Sequence, residues 1–413
     1  MAVATEPSRS RLANGVEVVH LEMAEAPVVC LDFWCKAGSR LEEPEESGLA
    51  HFLEHMVFKG SRSLAPGEFD HRVESLGGSS NAATGFDDVH FHVLIPPEGA
   101  SEALELLLEL VLEPRLGDED FQMERQVVLE ELNQSEDQPE EVAFQTLLAL
   151  ACPNHSYGRA ILGERSQLEG HQPAAMASFH SRIYQPGNIS VALAGPLDQL
   201  DLVERIEAGP LAGLATTAAT PPPAALALVA GRQQLELPRL EAARILMAWQ
   251  LPCAHDIDGV MGGDLITTLL AEGRRSRLVT RLREELRLVE SIDLDLTVLE
   301  AGSLALLEAV CAPAHVAAVE AEIGAIWRQL CDELPGVAEL QRAQRLVANG
   351  HRFSLESAAS VAGLMGSNCL WGRPLPLDAP LLAIEQWTVD RLQEEIVPLL
   401  DPERAFTLVA LPA

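Results

Sequence analysis

Apolar and polar positions follow two periods along this chain. Continuous or alternating runs of strand length occupy residues 28–34 and 90–95, and again Ala243–Leu251 and residues 304–312. Between them, at residues 48–60, 118–133 and 262–273, apolar side chains recur every three or four positions, the spacing of an amphipathic helix. Strands and helices come in mixed order, and strands such as residues 89–94 alternate in character. This predicts an α+β fold, a mainly antiparallel sheet with helices packed on one face, rather than a doubly wound parallel sheet. Each half runs strand, helix, long amphipathic helix and back to strand, the pattern of a divergent internal duplication.

One segment breaks the composition. Residues 207–231 contain Thr216, Thr217, Thr220 and Pro221, Pro222 and Pro223 with almost no charge, which predicts an interdomain linker. The division expected is therefore an N-terminal domain over 1–206, the linker, and a homologous C-terminal domain over 232–413.

Composition narrows the function classes. Of 413 residues, 29 are Lys or Arg and 62 are Asp or Glu, a formal charge of −33, which argues against nucleic acid as a partner. Such acidity favours a basic substrate through long-range steering and also serves solubility. The first 19 residues lack the apolar core of a secretory signal, and no run offers the roughly 18 apolar residues of a membrane helix. A cytoplasmic protein without membrane insertion is expected. The seven cysteines are scattered, odd in number and without a Cys-x-x-Cys pair, so reduced and mostly buried thiols are expected. Neither a Gly-x-Gly-x-x-Gly turn nor a phosphate-binding loop is present to hold a nucleotide.

The candidate chemistry begins at His51-Phe52-Leu53-Glu54-His55. On a helix at about 100° per residue, His51, Glu54 and His55 share one third of the circumference, with Leu49, Phe52, Leu53, Met56 and Val57 opposite. Imidazoles one turn apart suit a single Zn²⁺, and the carboxylate between them is placed to take a proton from a water that the metal acidifies. His-x-x-Glu-His is the reversed form of the zinc-protease helix. A solvated polar face is the plainer reading of the pentapeptide taken alone.

A third ligand is sought on the helix predicted over residues 118–133. Taking Glu124 as 0°, Val127, Val128 and Glu131 lie within about 60° of it, whereas Arg125, Gln126 and Glu130 point away. Two carboxylates on an apolar stripe ask for a cation or strong donors, unless their heads reach solvent at the stripe's edge. Glu131 would be the ligand, and Glu124, two turns earlier, could hold a ligand imidazole.

These residues together resemble the M16 family of zinc peptidases, in which the third ligand follows the second histidine by about 76 residues; here 131 − 55 = 76. The run from Glu124 to Glu131 fits the family pattern, as do Asn81-Ala82-Ala83-Thr84 after Gly77-Gly78, His155-Ser156-Tyr157-Gly158-Arg159 with Ile161-Leu162-Gly163, and Tyr184-Gln185-Pro186-Gly187-Asn188. In the second half, Ser276-Arg277-Leu278, Leu282-Arg283-Glu284 and residues 353–357 fit as well. The resemblance covers nearly the whole chain and is greatest to the short members, which include the mitochondrial processing peptidase.

The resemblance implies two homologous α+β domains and a zinc endopeptidase acting on unfolded peptides or presequences within a chamber made by two chains. One Zn²⁺ per chain would be held by His51, His55 and Glu131, with Glu54 as base and Glu124 behind the ligands. Asn81, Ala82, Ala83 and Thr84 would form an edge strand on which a peptide pairs, and Arg283 would contact substrate. One departure stands out. Where the family places a Tyr seven positions after that Arg, this chain has Glu290, and Arg287 replaces a usual Gly. A dimer is expected, with this chain the zinc-bearing half and a paralogous chain supplying the Arg/Tyr pair. The competing expectation is a non-catalytic scaffold or peptide-binding subunit. Aligning Gly60 with Gly273 sets Asp264, Thr267 and Thr268 opposite His51, Glu54 and His55, so no second metal site is expected there, and His90 and His92 read as structural.

Overall fold

The computed structural model describes residues 6–217 and 220–413; residues 1–5 of the segment read as lacking a signal, and 218–219 of the expected linker, lie outside it. The strands are β1 (Ser8–Arg11), β2 (Glu17–Glu22), β3 (Val29–Cys35), β4 (Ser79–Thr84), β5 (Val89–Ile95), β6 (Ile189–Gly195), β7 (Gly231–Leu237), β8 (Ala243–Leu251), β9 (Val289–Thr297), β10 (Ser303–Cys311) and β11 (Phe406–Pro412). The helices that matter below are α1 (Leu49–Val57), α2 (Ala100–Leu112), α3 (Asp118–Glu136), α4 (Pro139–Ala151), α5 (Ile257–Ala271), α6 (Val316–Asp332) and α7 (Ala358–Trp371).

The chain forms two compact units. Among the described residues, one comprises 6–132, 160–217, 220–221 and 353–379; the other comprises 133–159, 222–352 and 380–413. The chain-order division at the linker differs from this spatial one in two segments, because residues 133–159 and 353–379 each pack with the bulk of the opposite half.

In the first unit six strands run in the order β1-β2-β6-β3-β5-β4. Only the β2–β6 pair is parallel. β3 and β6 are buried at every position, and the reason is that helices cover both faces rather than the one face expected. Leu31, Phe33, Phe91 and Val93 pack in one apolar core with residues of α1, α2 and α3, whereas Cys30, Ala192 and Ala194 pack against Val361, Ala362 and Met365 of α7. Close approach of α7 requires Gly366, where an added Cβ would lie 2.3 Å from Trp34 Cδ1.

The second unit has five strands in the order β7-β11-β8-β10-β9, again with one parallel pair, β7–β11. Matching β2, β6, β3, β5 and β4 to β7, β11, β8, β10 and β9 reproduces every pairing and its direction, so the duplication is visible in topology. α5 and α6 contribute to one apolar core, and α4 packs on β8 and β11. All seven cysteines are unpaired, and five of them are buried. No helix among the described residues is long and apolar enough to cross a membrane.

Candidate metal centre

α1 is anchored before it presents any chemistry. Leu49, Phe52, Leu53, Met56 and Val57 are buried in the core of the first unit. Its N-terminus is capped by Glu42, whose two carboxylate oxygens accept from the Gly48 and Ala50 N–H groups at 3.1 and 2.8 Å. A buried anion there satisfies orphan donors and meets the positive end of the helix dipole. Gly48 has φ of 85°, and a Cβ on it would lie 2.7 Å from the Leu162 carbonyl oxygen, so only glycine fits that turn. The Ile161-Leu162-Gly163 segment thus acts as a buttress for the start of the helix.

The opposite face of α1 carries His51, Glu54 and His55, and α3 brings Glu131 to them. Glu131 Oε2 lies 3.7 Å from His51 Nε2 and 3.4 Å from His55 Nε2. His51, His55 and Glu131 each offer one ligand atom, all within 4.8 Å of one another. Both Glu131 Oε2 and His51 Nδ1 are enclosed without a hydrogen-bond partner, a costly condition for polar atoms. Two imidazole nitrogens converging with an unpartnered carboxylate oxygen fit a Zn²⁺ ion that keeps a further position open.

Glu124 sits behind this trio. Its Oε1 is 2.9 Å from His55 Nδ1 and its Oε2 is 2.6 Å from Lys59 Nζ. The bond to Nδ1 fixes the ring and leaves Nε2 facing Glu131. Burial opposes ionisation of Glu124, but His55 and Lys59 together hold its carboxyl below the ordinary value. Burial likewise works against a charged His55, yet the Glu124 bond and the nearby carboxylates Glu131 and Glu54 raise its pKa. His51 behaves oppositely: burial, reinforced by His55, pushes it down to about 4, so it is neutral near pH 7.

α3 departs from the expected helical wheel. Its buried line runs through Phe121, Glu124, Arg125, Val128 and Leu132, centred about 50° from Glu124 on the side of Arg125. Arg125, expected to point away, is therefore buried; it donates to Gln122 Oε1 and the His171 carbonyl and lies over the Phe121 ring. Val127, expected on the stripe, is 50% exposed. Glu131 falls at the stripe's edge, its side chain 45% exposed, with one oxygen reaching into the centre.

Glu54 is not one of the converging ligand atoms. Burial raises its pKa above the ordinary carboxylate value, while a hydrogen bond from Thr84 Oγ1 and the charge of His55 oppose the rise. Thr84 ends β4, which is the edge strand beside β5, and the Asn81 side chain accepts from the Ala82 N–H at 2.9 Å. Expected members Asn81, Ala82 and Ala83 thus lie on an open sheet edge that leads to Glu54.

Arg283 belongs to the second unit, within residues 279–285, which wind as a π-helix, and its guanidinium donates to Glu284. Arg287 takes φ of 53°, the left-handed region in which a glycine is unstrained. On α5 the positions matched to the histidine helix are Asp264, Thr267 and Thr268; burial, with the nearby Glu272, raises Asp264 to about 6. Reading the sequence missed Glu42, Lys59 and the hydroxyl of Thr84 as partners in the centre. Glu42 had a signal, an acid shortly before a glycine-started helix; the other two had none.

The family model described as insulinase (peptidase family M16) matches residues 17–165, and the peptidase M16 inactive domain model matches residues 172–347. This chain belongs to peptidase family M16. Among M16 relatives, an uncharacterized zinc protease of Mycobacterium leprae is 25% identical over 93% of this chain and 87% of its own length. A probable mitochondrial-processing peptidase subunit beta of Arabidopsis thaliana is 28% identical over 49% of this chain and 38% of its own. The M16 fold is shared with a protease from Helicobacter pylori, at a TM-score of 0.90 and 24% identity over 99% of this chain and 100% of that one.

Proposed function

We propose that this M16 chain is a zinc-dependent endopeptidase that cleaves unfolded peptides or presequences, as the zinc-bearing subunit of a dimer that encloses its substrate. The observation that carries this reading is the approach of an unpartnered Glu131 oxygen to the Nε2 atoms of both His51 and His55. His51, His55 and Glu131 would hold the ion. When bound, zinc supplies a Lewis acid that polarises a carbonyl and makes water acidic near neutrality.

The remaining steps belong to the protein. A peptide laid along β4 exchanges main-chain hydrogen bonds with the open edge, which tolerates many sequences. Glu54 removes a proton from the attacking water and passes it to the leaving amine. A carboxylate raised by burial suits both tasks, being basic enough to accept and acidic enough to return the proton. Thr84 aims that carboxylate at the end of the strand where the peptide lies, and Glu124 keeps the His55 ring in its ligating orientation.

Full activity would need a second chain. Glu290 cannot donate a hydrogen bond to a carbonyl when ionised, and Arg283 is engaged by Glu284. A paralogous subunit with an Arg/Tyr pair would complete the grip. Replacing Glu54 by Gln tests the assignment: zinc content should stay that of the unaltered protein while peptide cleavage falls by roughly 10²- to 10⁴-fold, as expected for loss of an essential base. Cleavage by Glu54→Gln at the wild-type rate rejects it.

A further inference from the structure

The sheet of the first unit carries a second convergence of ligating groups. β5 alternates, with Phe91 and Val93 entering the core beneath α1 and the side chains of His90 and His92 on the other face, the face covered by α7. Asp32 of β3 is the direct cross-strand partner of His92, and Trp34 is that of His90. One sheet face therefore gathers a carboxylate and two imidazoles from adjacent strands.

Asp32 is 2% exposed, and a carboxylate so enclosed requires compensation. His90 Nδ1 lies 3.1 Å from Asp32 Oδ1. His92 Nδ1 is enclosed and has no hydrogen-bond partner. Ligand atoms of all three residues fall within 4.8 Å of one another. The rings are held in place: His90 stacks on Trp34 at 4.4 Å between centroids, and His92 stacks on His90 at 5.5 Å. Above the carboxylate stands Gly363 of α7, where a Cβ would come 3.8 Å from Asp32 Oδ2, so glycine leaves space beside the acid. Both histidines are partly exposed, which gives an ion a way in.

We propose that Asp32, His90 and His92 form a second cation site, sharing no ligand with the His51–His55–Glu131 centre, that binds a divalent transition metal. Two imidazoles and one carboxylate suit Zn²⁺ or Co²⁺ and disfavour Mg²⁺ and Ca²⁺, which take all-oxygen shells. A tetrahedral ion with bonds of about 2.0–2.1 Å places its donors about 3.3 Å apart, close to the Asp32–His90 separation, and His92 offers a ligand atom within 4.8 Å of both. The ion would tie β3 to β5 through side chains, one strand in from β4. Retaining an orphaned imidazole beside a buried acid is then the signature of a ligand set rather than of a satisfied core histidine.

The test counts metal in the full chain. After equilibrium dialysis against micromolar free Zn²⁺, the His51→Ala/His55→Ala double variant should retain one zinc per chain, and adding His92→Ala should remove it. Replacing zinc by Co²⁺ in the double variant should give visible d–d absorption that the triple variant lacks. His92→Gln, close to histidine in size, serves in place of His92→Ala if the latter does not fold, and should lose the same equivalent. A double variant without zinc or cobalt, or a metal equivalent that survives both His92 substitutions, overturns the proposal. Because the count is made with the first centre removed, failure of the peptidase reading leaves this result unaffected.

Discussion

Glu124 offers the most direct test of how the candidate zinc centre is built. Its carboxylate bridges His55 Nδ1 at 2.9 Å and Lys59 Nζ at 2.6 Å from a buried position on α3. Glu124→Ala leaves the His55 Nδ1 and the Lys59 ammonium without that partner and frees the ring to turn its Nε2 away from Glu131. Outer partners of this kind contribute about 10- to 100-fold in metal affinity, about 1.4 to 2.7 kcal/mol. Glu124→Gln keeps an acceptor for Nδ1 but loses the charge, so it should fall between Ala and the unaltered chain. Competition for Zn²⁺ against a chelating indicator measures both variants, with Glu119→Ala, an exposed change on the first turn of α3, as the control. The second site proposed above is removed from the count by working in a His92→Ala background. A Glu124→Ala protein that is folded and binds zinc as tightly as the control refutes the idea that this carboxylate organises the centre.

Other outcomes follow from single contacts. Thr84→Val removes the hydroxyl that counteracts the burial-driven rise of the Glu54 pKa, so the acid limb of the kcat/KM profile should move to higher pH; an unmoved limb separates Thr84 from the base. Asp264 holds its proton up to about 6 in the fold against 3.8 when unfolded, so its stabilising contribution is complete below 3.8 and is lost as pH rises through about 6. Asp264→Asn should therefore stabilise the protein above pH 7 by at most about 3 kcal/mol and have little effect near pH 3.5, read as urea midpoints at the two pH values. Arg287→Gly relieves a left-handed backbone at a modest cost in unfolded-chain entropy, and an unfolding free energy raised by about 0.5–1 kcal/mol, read as a higher urea midpoint, is expected; a lowered midpoint contradicts the strain.

What was legible in the residues was what local geometry decides. The 3.6-residue period alone puts His51, Glu54 and His55 on one face of α1, and the strand and helix runs lie close to the periods that predicted them. Glu131 was reachable through the family resemblance, since nothing local says that a residue 76 positions later will meet a given imidazole. The rest depended on packing between distant segments. The wheel of α3 was turned because Phe121, Arg125 and Leu132 found partners that shifted its buried line, and a wheel drawn from one helix contains no such partners. The exchanged segments escaped detection for the same reason: α7 is apolar enough to cover a sheet, but its sequence does not say which one. Cross-strand register, set only when β3 and β5 pair, brought Asp32 to His92 across 60 positions of chain. Sequence determines the chemistry that each short element carries; the tertiary fold decides which of those chemistries share a volume, because burial and register are properties of pairs of segments and not of either one.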